Sequence, residues 1–296
     1  RRRQNSYQCA GCPTGGCGVT GQRLNNELTV ARQAAMAAAA LVKTYVGRPV
    51  RIDNKAGDEP VTEADHAANR LIVERLAAAF PGDVILSEEI PDDGSRHGAP
   101  RVWMVDPIDG TSDFILGDTG FAVMIGLCVN GRPVLGAVSQ PSTGKTYSGV
   151  VGRGAWLQRD EQPPVAIRTS TLPGAPGIRL VASKSHRTPR IDAIRRSLDI
   201  QDEINVGSVG LKIGLVAEAA RDLYIYTGGR TKIWDTCGPE AILLAAGGRI
   251  SDVDGRLLDY TNADLYNRRG IVASNGPLHG AAIAAIGPVL ANTNID

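Results

Sequence analysis

The chain has 296 residues, enough for one large domain or two tightly joined halves. A hydrophobic content of 43% with 21% charged residues is ordinary for a globular protein, and a formal net charge of +1 offers no global field for nucleic acid or an anionic membrane. Aromatic residues, at 4%, are too scarce for a base-stacking surface, and no apolar run reaches the roughly 18 residues of a spanning helix.

Residues 1 to 26 lack periodicity and are rich in Gly, Arg and polar residues, so they read as a disordered leader or a cloning remnant. Cys9, Cys12 and Cys17 fall there in a C-x2-C-x4-C spacing, but zinc needs a fourth ligand and none is nearby. Cys128 and Cys237 each sit alone in an apolar segment, the usual place of buried reduced thiols, which points to a cytoplasmic protein.

A helix is expected from Asn26-Glu27 to about Val46. A second starts after Thr62, a good cap, and carries Ala68, Leu71, Ile72, Leu76 and Ala79 on one apolar stripe until Pro81-Gly82 ends it. Short apolar runs at 84–86 and 102–105 then read as strands, each finishing in acidic residues. Residues 121–129 and 133–139 flank Asn130-Gly131, a strong hairpin signal, and 146–151 reads as a further strand. A proline-rich break at 162–164 and 173–176 marks the seam between two halves. Residues 27–165 are expected to form an N-terminal α+β half carrying most metal ligands. Residues 166–296 are expected to form a C-terminal α/β half, with strands at 179–182, 203–206, 223–226 and 270–273. Its helices are placed at 189–198, 211–220, 238–246 and 277–286.

The chemistry concentrates at Asp106-Pro107-Ile108-Asp109-Gly110-Thr111, at the end of an apolar strand. Two carboxylates three residues apart on a turn can share one small volume. Gly110 permits close approach of a ligand, the Ile108 carbonyl is a hard oxygen donor, and Thr111 offers a hydroxyl and an amide at a helix start. An all-oxygen set of this kind suits Mg²⁺. Taken singly, Glu88-Glu89 reads equally as a solvated pair, Asp65 as a polar helix residue and Asp235 as a helix cap. The Lys55-x2-Asp58-x3-Thr62-x2-Asp65 run is a weak signal by itself.

Their order is what discriminates. Asp65, then Glu88-Glu89, then Asp-Pro-Ile-Asp-Gly-Thr, then Trp234-Asp235 followed after eleven residues by Gly247-Gly248, resembles the signature of the lithium-sensitive, Mg²⁺-dependent phosphatase superfamily. That superfamily includes inositol monophosphatases and 3′(2′),5′-bisphosphate nucleotidases. The resemblance runs from about Glu27 to the last helix and implies an α/β (α+β) fold, a layered αβαβα sandwich.

The resemblance also implies roles. Glu88, Asp106 and the Ile108 carbonyl would hold one Mg²⁺. Asp106, Asp109 and Asp235 would hold a second, and Glu88 with Asp65 a third, weaker one; Li⁺ would inhibit by competing for a Mg²⁺ position. A water activated by the ions would attack phosphorus in line, with Thr111 and Asp65 orienting or deprotonating it and the Gly110 and Thr111 amides receiving phosphate oxygens. A homodimer is expected on resemblance alone.

For the substrate, Ser183-Lys184-Ser185-His186-Arg187 and Gly207-Ser208-Val209-Gly210-Leu211-Lys212 are similar to segments of the CysQ-like nucleotidase branch. Ser183, Lys184, His186, Ser208, Lys212 and Arg230 are therefore expected to contact a bisphosphate such as adenosine 3′,5′-bisphosphate, whose second phosphate needs extra positive charge. Ser112 stands where that branch commonly has Lys, and this keeps inositol, sugar and histidinol phosphates open as substrates. A non-catalytic metal- and phosphate-binding regulator is disfavoured by the intact Asp65, Glu88 and Thr111.

Overall fold

The computed structural model describes residues 24–54, 60–184 and 188–292. Residues 1–23 with their three cysteines, Lys55 and Asp58, and Ser185, His186 and Arg187 lie outside the described residues.

Five layers stack in the order helix, sheet, helix, sheet, helix. The outer helices are α1 (Leu24–Lys43) and α2 (Glu63–Ala79), preceded by a small hairpin of β1 (Ile52–Asn54) and β2 (Pro60–Thr62). They cover a seven-stranded sheet whose strands run in chain order: β3 (Val84–Ser87), β4 (Arg101–Asp109), β5 (Ala122–Val129), β6 (Arg132–Gln140), β7 (Lys145–Val150), β8 (Gly154–Arg159) and β9 (Val165–Ile167). The short helix α3 (Thr111–Ile115) follows β4 directly. A five-stranded sheet is built from β10 (Arg179–Ser183), β11 (Asp202–Val206), β12 (Leu223–Tyr226), β13 (Arg249–Ser251) and β14 (Ile271–Ser274) in the order β11-β10-β12-β14-β13. Helices α5 (Val209–Ala217) and α6 (Ile233–Ala245) lie between the sheets, and α4 (Pro189–Ser197) with α7 (His279–Ala291) closes the far side.

Period-two alternation sets which side chains meet which layer. Along β4, Trp103 and Val105 turn to α1 and α2, while Val102 and Met104 turn to the middle layer. On β5 the same split puts Val123, Ile125 and Leu127 outside and Ala122, Met124 and Cys128 inside. The outer contact is made from small side chains: Ala31, Ala34, Ala35 and Ala38 of α1 are fully buried against Ala64, Ala68, Ile72 and Leu76 of α2 and the sheet. The β5–β6 hairpin turns at Asn130 and Gly131 with φ of 50° and 75°, the paired left-handed conformation that the Asn-Gly dipeptide signals.

Glycine positions let the middle layer lie close on the sheet. Gly126 of β5 and Gly136 of β6 face α6, where Cβ atoms would stand 2.7 Å from Cys237 Sγ and 2.6 Å from the Gly238 carbonyl carbon respectively. Gly238 itself sits against the Ile125 carbonyl, where a Cβ would stand 2.6 Å away. A helical glycine costs about 1 kcal/mol relative to alanine, and the close approach it allows is the compensation.

The structure moves several expected boundaries. Helix α6 begins at Ile233, not at Gly238, because Pro239 lies inside it. The proline resembles a helix-opening residue, but the N–H it lacks would have bonded the carbonyl of Asp235, in the first turn of the helix. Strands β1, β2, β8, β9 and β13 were not anticipated; all but β8 have three residues each, too short for alternation to declare itself.

Candidate active site

Strands β3 and β4 are the only parallel pair of the seven-stranded sheet, so they end at the same edge. Ser87 pairs with Val105, and the Glu88 N–H donates to the Val105 carbonyl at 3.1 Å. Glu88 and Asp106 are therefore lateral neighbours. Both share parity with Leu86 and Met104, which face the middle layer. From that layer Asp235, in the first turn of α6, completes the group: one carboxylate oxygen from each of Glu88, Asp106 and Asp235 lies within 4.8 Å of the others. Asp106 is buried at 2% exposure, so this is not a solvated acidic turn.

The register of β4 against β5 slips between Asp106 and Asp109, a bulge at Pro107-Ile108. Gly110 then adopts φ of 96°, a left-handed conformation open to glycine, and Thr111 starts α3. The Thr111 hydroxyl lies 3.2 Å from Asp65 Oδ1 and 3.1 Å from the Ile108 carbonyl oxygen. Asp65 is fixed in turn by a capping box. Its Oδ2 accepts from the Thr62 N–H at 2.8 Å and the Thr62 hydroxyl at 2.6 Å.

Asp109 stands apart from the three-carboxylate group. Its Oδ2 accepts from the Ser208 hydroxyl at 2.5 Å and the Gly210 N–H at 3.2 Å, and burial raises its pKa against the pull of the nearby Lys212 ammonium. Asp235 is pushed well above the usual carboxylate range, first by burial and then by repulsion from Asp109 and Glu88. Crowded, buried carboxylates of this kind need positive charge among them. The donor set is all hard oxygen, the coordination Mg²⁺ prefers, and Glu88, Asp106 and Asp235 can coordinate a divalent ion.

These groups open on a cavity of about 440 Å³, whose walls include Gly110, Thr111, Ser183, Lys212, Tyr224, Tyr226 and Arg230. The expected substrate contacts divide on inspection. Ser183 and Arg230 line the cavity. Lys212 also reaches it but is 1% exposed, with its ammonium donating to the carbonyls of Val206, at 3.2 Å, and Gly207 and lying 5.2 Å from the Tyr224 ring centroid. Burial lowers its pKa to about 8. Ser208 is buried, caps α5 and gives its hydroxyl to Asp109. Lys184 lines a neighbouring cavity of about 310 Å³ and pairs with Asp118. His186 lies outside the described residues.

Sequence reasoning missed Lys232. Its ammonium is 3.3 Å from Glu88 Oε1, and it stands three residues before Asp235 at the helix mouth, where a basic residue was the available signal. It also missed Asp113, which lines the cavity and leaves no room for a side chain at Gly207.

Comparison with known proteins adds an independent line. The model of the family described as Inositol monophosphatase family matches residues 24–290. The chain is 34% identical over 257 residues to the 3′(2′),5′-bisphosphate nucleotidase CysQ of Escherichia coli, covering 83% of this chain and 98% of that protein. Among solved structures it is similar to CysQ from Bacteroides thetaiotaomicron, with a TM-score of 0.69 and 28% identity over 84% of this chain and 97% of that one. The Thermotoga maritima IMPase shares the fold, with a TM-score of 0.75 and 23% identity over 91% and 98% of the two chains.

Proposed function

Because the chain belongs to the inositol monophosphatase family, in its CysQ-like branch, it is a phosphomonoesterase, and we propose that its substrate is a 3′(2′),5′-bisphosphate nucleotide, adenosine 3′,5′-bisphosphate being cleaved to AMP and phosphate. The observation that carries this reading is the cavity itself. Carboxylates suited to Mg²⁺ form one wall, and cationic Arg230 with Tyr224 and Tyr226 forms another, with the Lys212 ammonium held just behind it. A monophosphate would leave that second, basic and aromatic wall without an evident use.

In this reading Glu88, Asp106 and Asp235, with the Ile108 carbonyl and Asp109 beside them, would hold two Mg²⁺, Asp65 and Glu88 would contribute to a third, and Li⁺ would inhibit by competition. When bound, Mg²⁺ supplies Lewis-acid stabilisation of charge and acidifies water. The chain's own residues do the rest. Thr111 accepts a proton from the attacking water as its hydroxyl proton passes toward Asp65 Oδ1, 3.2 Å away. The two bonds from Thr62 keep Asp65 aimed at that hydroxyl. Backbone amides of Gly110 and Thr111 donate to phosphate oxygens as charge accumulates. Arg230 and Ser183 engage the second phosphate or the ribose. The same reading carries a cytoplasmic location, a homodimer and no nucleic-acid partner. Among the described residues no helix is long and apolar enough to cross a membrane.

The test is phosphate release from adenosine 3′,5′-bisphosphate and from inositol 1-phosphate, each with Mg²⁺ and with excess EDTA. Strong preference for the nucleotide, abolished by EDTA, is expected. Preference for inositol 1-phosphate would keep the phosphatase and discard the substrate, returning Arg230 and Lys212 to structural roles.

A further inference from the structure

Lys232 occupies the N-cap of α6, a position that ordinarily favours Ser, Thr, Asp or Asn. A cation there also opposes the positive end of the helix dipole. A residue that breaks two local rules at once is held by tertiary contacts, and those of Lys232 are specific. Its ammonium is 3.3 Å from Glu88 Oε1, with both side chains more than four-fifths buried (13% and 17% exposed). The same ammonium lies 5.4 Å from the Trp234 ring centroid and 5.8 Å from that of Tyr266, a two-ring cradle for a cation. Tyr266 is itself backed by the Arg268 guanidinium at 4.0 Å, which Asp264 holds at 2.7 Å.

The backbone of Lys232 is committed as well. Its N–H donates to Asp235 Oδ2 at 2.8 Å, and its carbonyl accepts from the Asn267 amide at 3.1 Å. One residue thus touches two of the three clustered carboxylates, Glu88 through its side chain and Asp235 through its main chain.

We propose that Lys232 is a positioning residue that competes with Mg²⁺ for the Glu88 carboxylate and so sets the protein's affinity for the ion. Two cations cannot share one carboxylate in a partly desolvated site without repulsion. The ammonium fixes Glu88 in line with Asp106 and Asp235 from within the ring cradle. The two aromatic faces keep its charge stabilised when an ion takes the carboxylate, so the exchange is reversible and the ion remains releasable. The inference rests on the metal reading of the carboxylate cluster.

Titration of Mg²⁺ alone by calorimetry, without substrate, tests it on the full chain. Lys232→Met keeps a long apolar side chain between the rings and removes the charge; it should bind Mg²⁺ about tenfold more tightly, from the loss of one nearby unit charge. Lys232→Arg should stay within about twofold of the parent chain, since it preserves both the charge and the ring contacts. Unchanged or weaker binding in Lys232→Met overturns the proposal. If that variant does not fold by circular dichroism, Lys232→Gln makes the same comparison. Absence of Mg²⁺ binding in the parent chain would overturn the metal reading and this inference together. Binding in the parent chain with no tightening in the variant would overturn only the inference.

Discussion

Replacing Gly136 with alanine places one methyl group where the structure has none to spare. The new Cβ would stand 2.6 Å from the Gly238 carbonyl carbon and 2.8 Å from its Cα, with the carbonyl oxygen closer still. These are backbone atoms in the middle of α6, so no rotamer change relieves the clash, and the helix and sheet must part by about 1 Å. Overpacking of this severity costs about 3 kcal/mol, at the upper end of the usual range. Because Asp235 lies three residues before Gly238 on the same rigid helix, the displacement also moves a carboxylate away from Glu88 and Asp106. Urea unfolding should therefore show a midpoint lower by roughly 1 M. Calorimetry should show Mg²⁺ binding weakened by about tenfold, a loss of roughly 1.4 kcal/mol. Gly287→Ala on α7 is the control: nothing lies within 4 Å of its Cβ, and stability should rise slightly with Mg²⁺ binding unchanged. If Gly136→Ala keeps both the parent midpoint and the parent affinity, the close apposition of α6 on the sheet is not what sets the site.

Asp106→Asn should reduce phosphate release by about three orders of magnitude by removing a shared ligand charge, and activity near the parent level would refute the site. Thr62→Val should cost about 1 kcal/mol through the lost cap and lower kcat with little change in KM, because Asp65 loses its 2.6 Å anchor. Thr62→Ser should restore both, and a variant that changes stability alone would separate the cap from catalysis. Glu240 governs the alkaline side of stability. Burial raises its carboxyl from the ordinary 4.5 to about 7, against the pull of its bonds from Tyr260 and Arg132. A raised native pKa means that the fold favours the protonated form. Its contribution is complete below pH 4.5 and is lost as pH rises through about 7. Unfolding free energy should fall by on the order of 3 kcal/mol across that window, and Glu240→Gln should flatten the profile.

Much of the site was legible because its parts are local in sequence. The Asp106–Thr111 turn announces two carboxylates, a carbonyl and a hydroxyl in six residues, and strand endings put Glu88 beside it. What could not be read was the partner of each polar group. Ser208 and Lys212 belong to a segment that looks like a ligand loop, yet Ser208 bonds Asp109 across 99 positions, and Lys212 turns to the carbonyls of its own helix mouth. Such pairings depend on how two sheets face each other, which no periodicity records. Lys232 was invisible for the same reason: its meaning lies in Glu88, 144 residues earlier. The start of α6 was misplaced because Pro239 mimics an opening residue, an ambiguity that only the tertiary position of Asp235 resolves.

The layering also fixes an order of events during synthesis. Asp65, Glu88, Asp106 and Asp109 leave the ribosome well before Asp235, and the seven-stranded sheet is complete at β9 while the slab that covers its inner face is still to be made. A growing chain at that stage exposes Met104, Met124 and Val138, together with an unfinished ring of carboxylates. Helix α6 ends both conditions in one step, since the face that buries the sheet and the residue that completes the ring are on the same thirteen residues. The chain thus gains its sealed interior and its complete carboxylate cluster together, and truncation anywhere before that helix forfeits both.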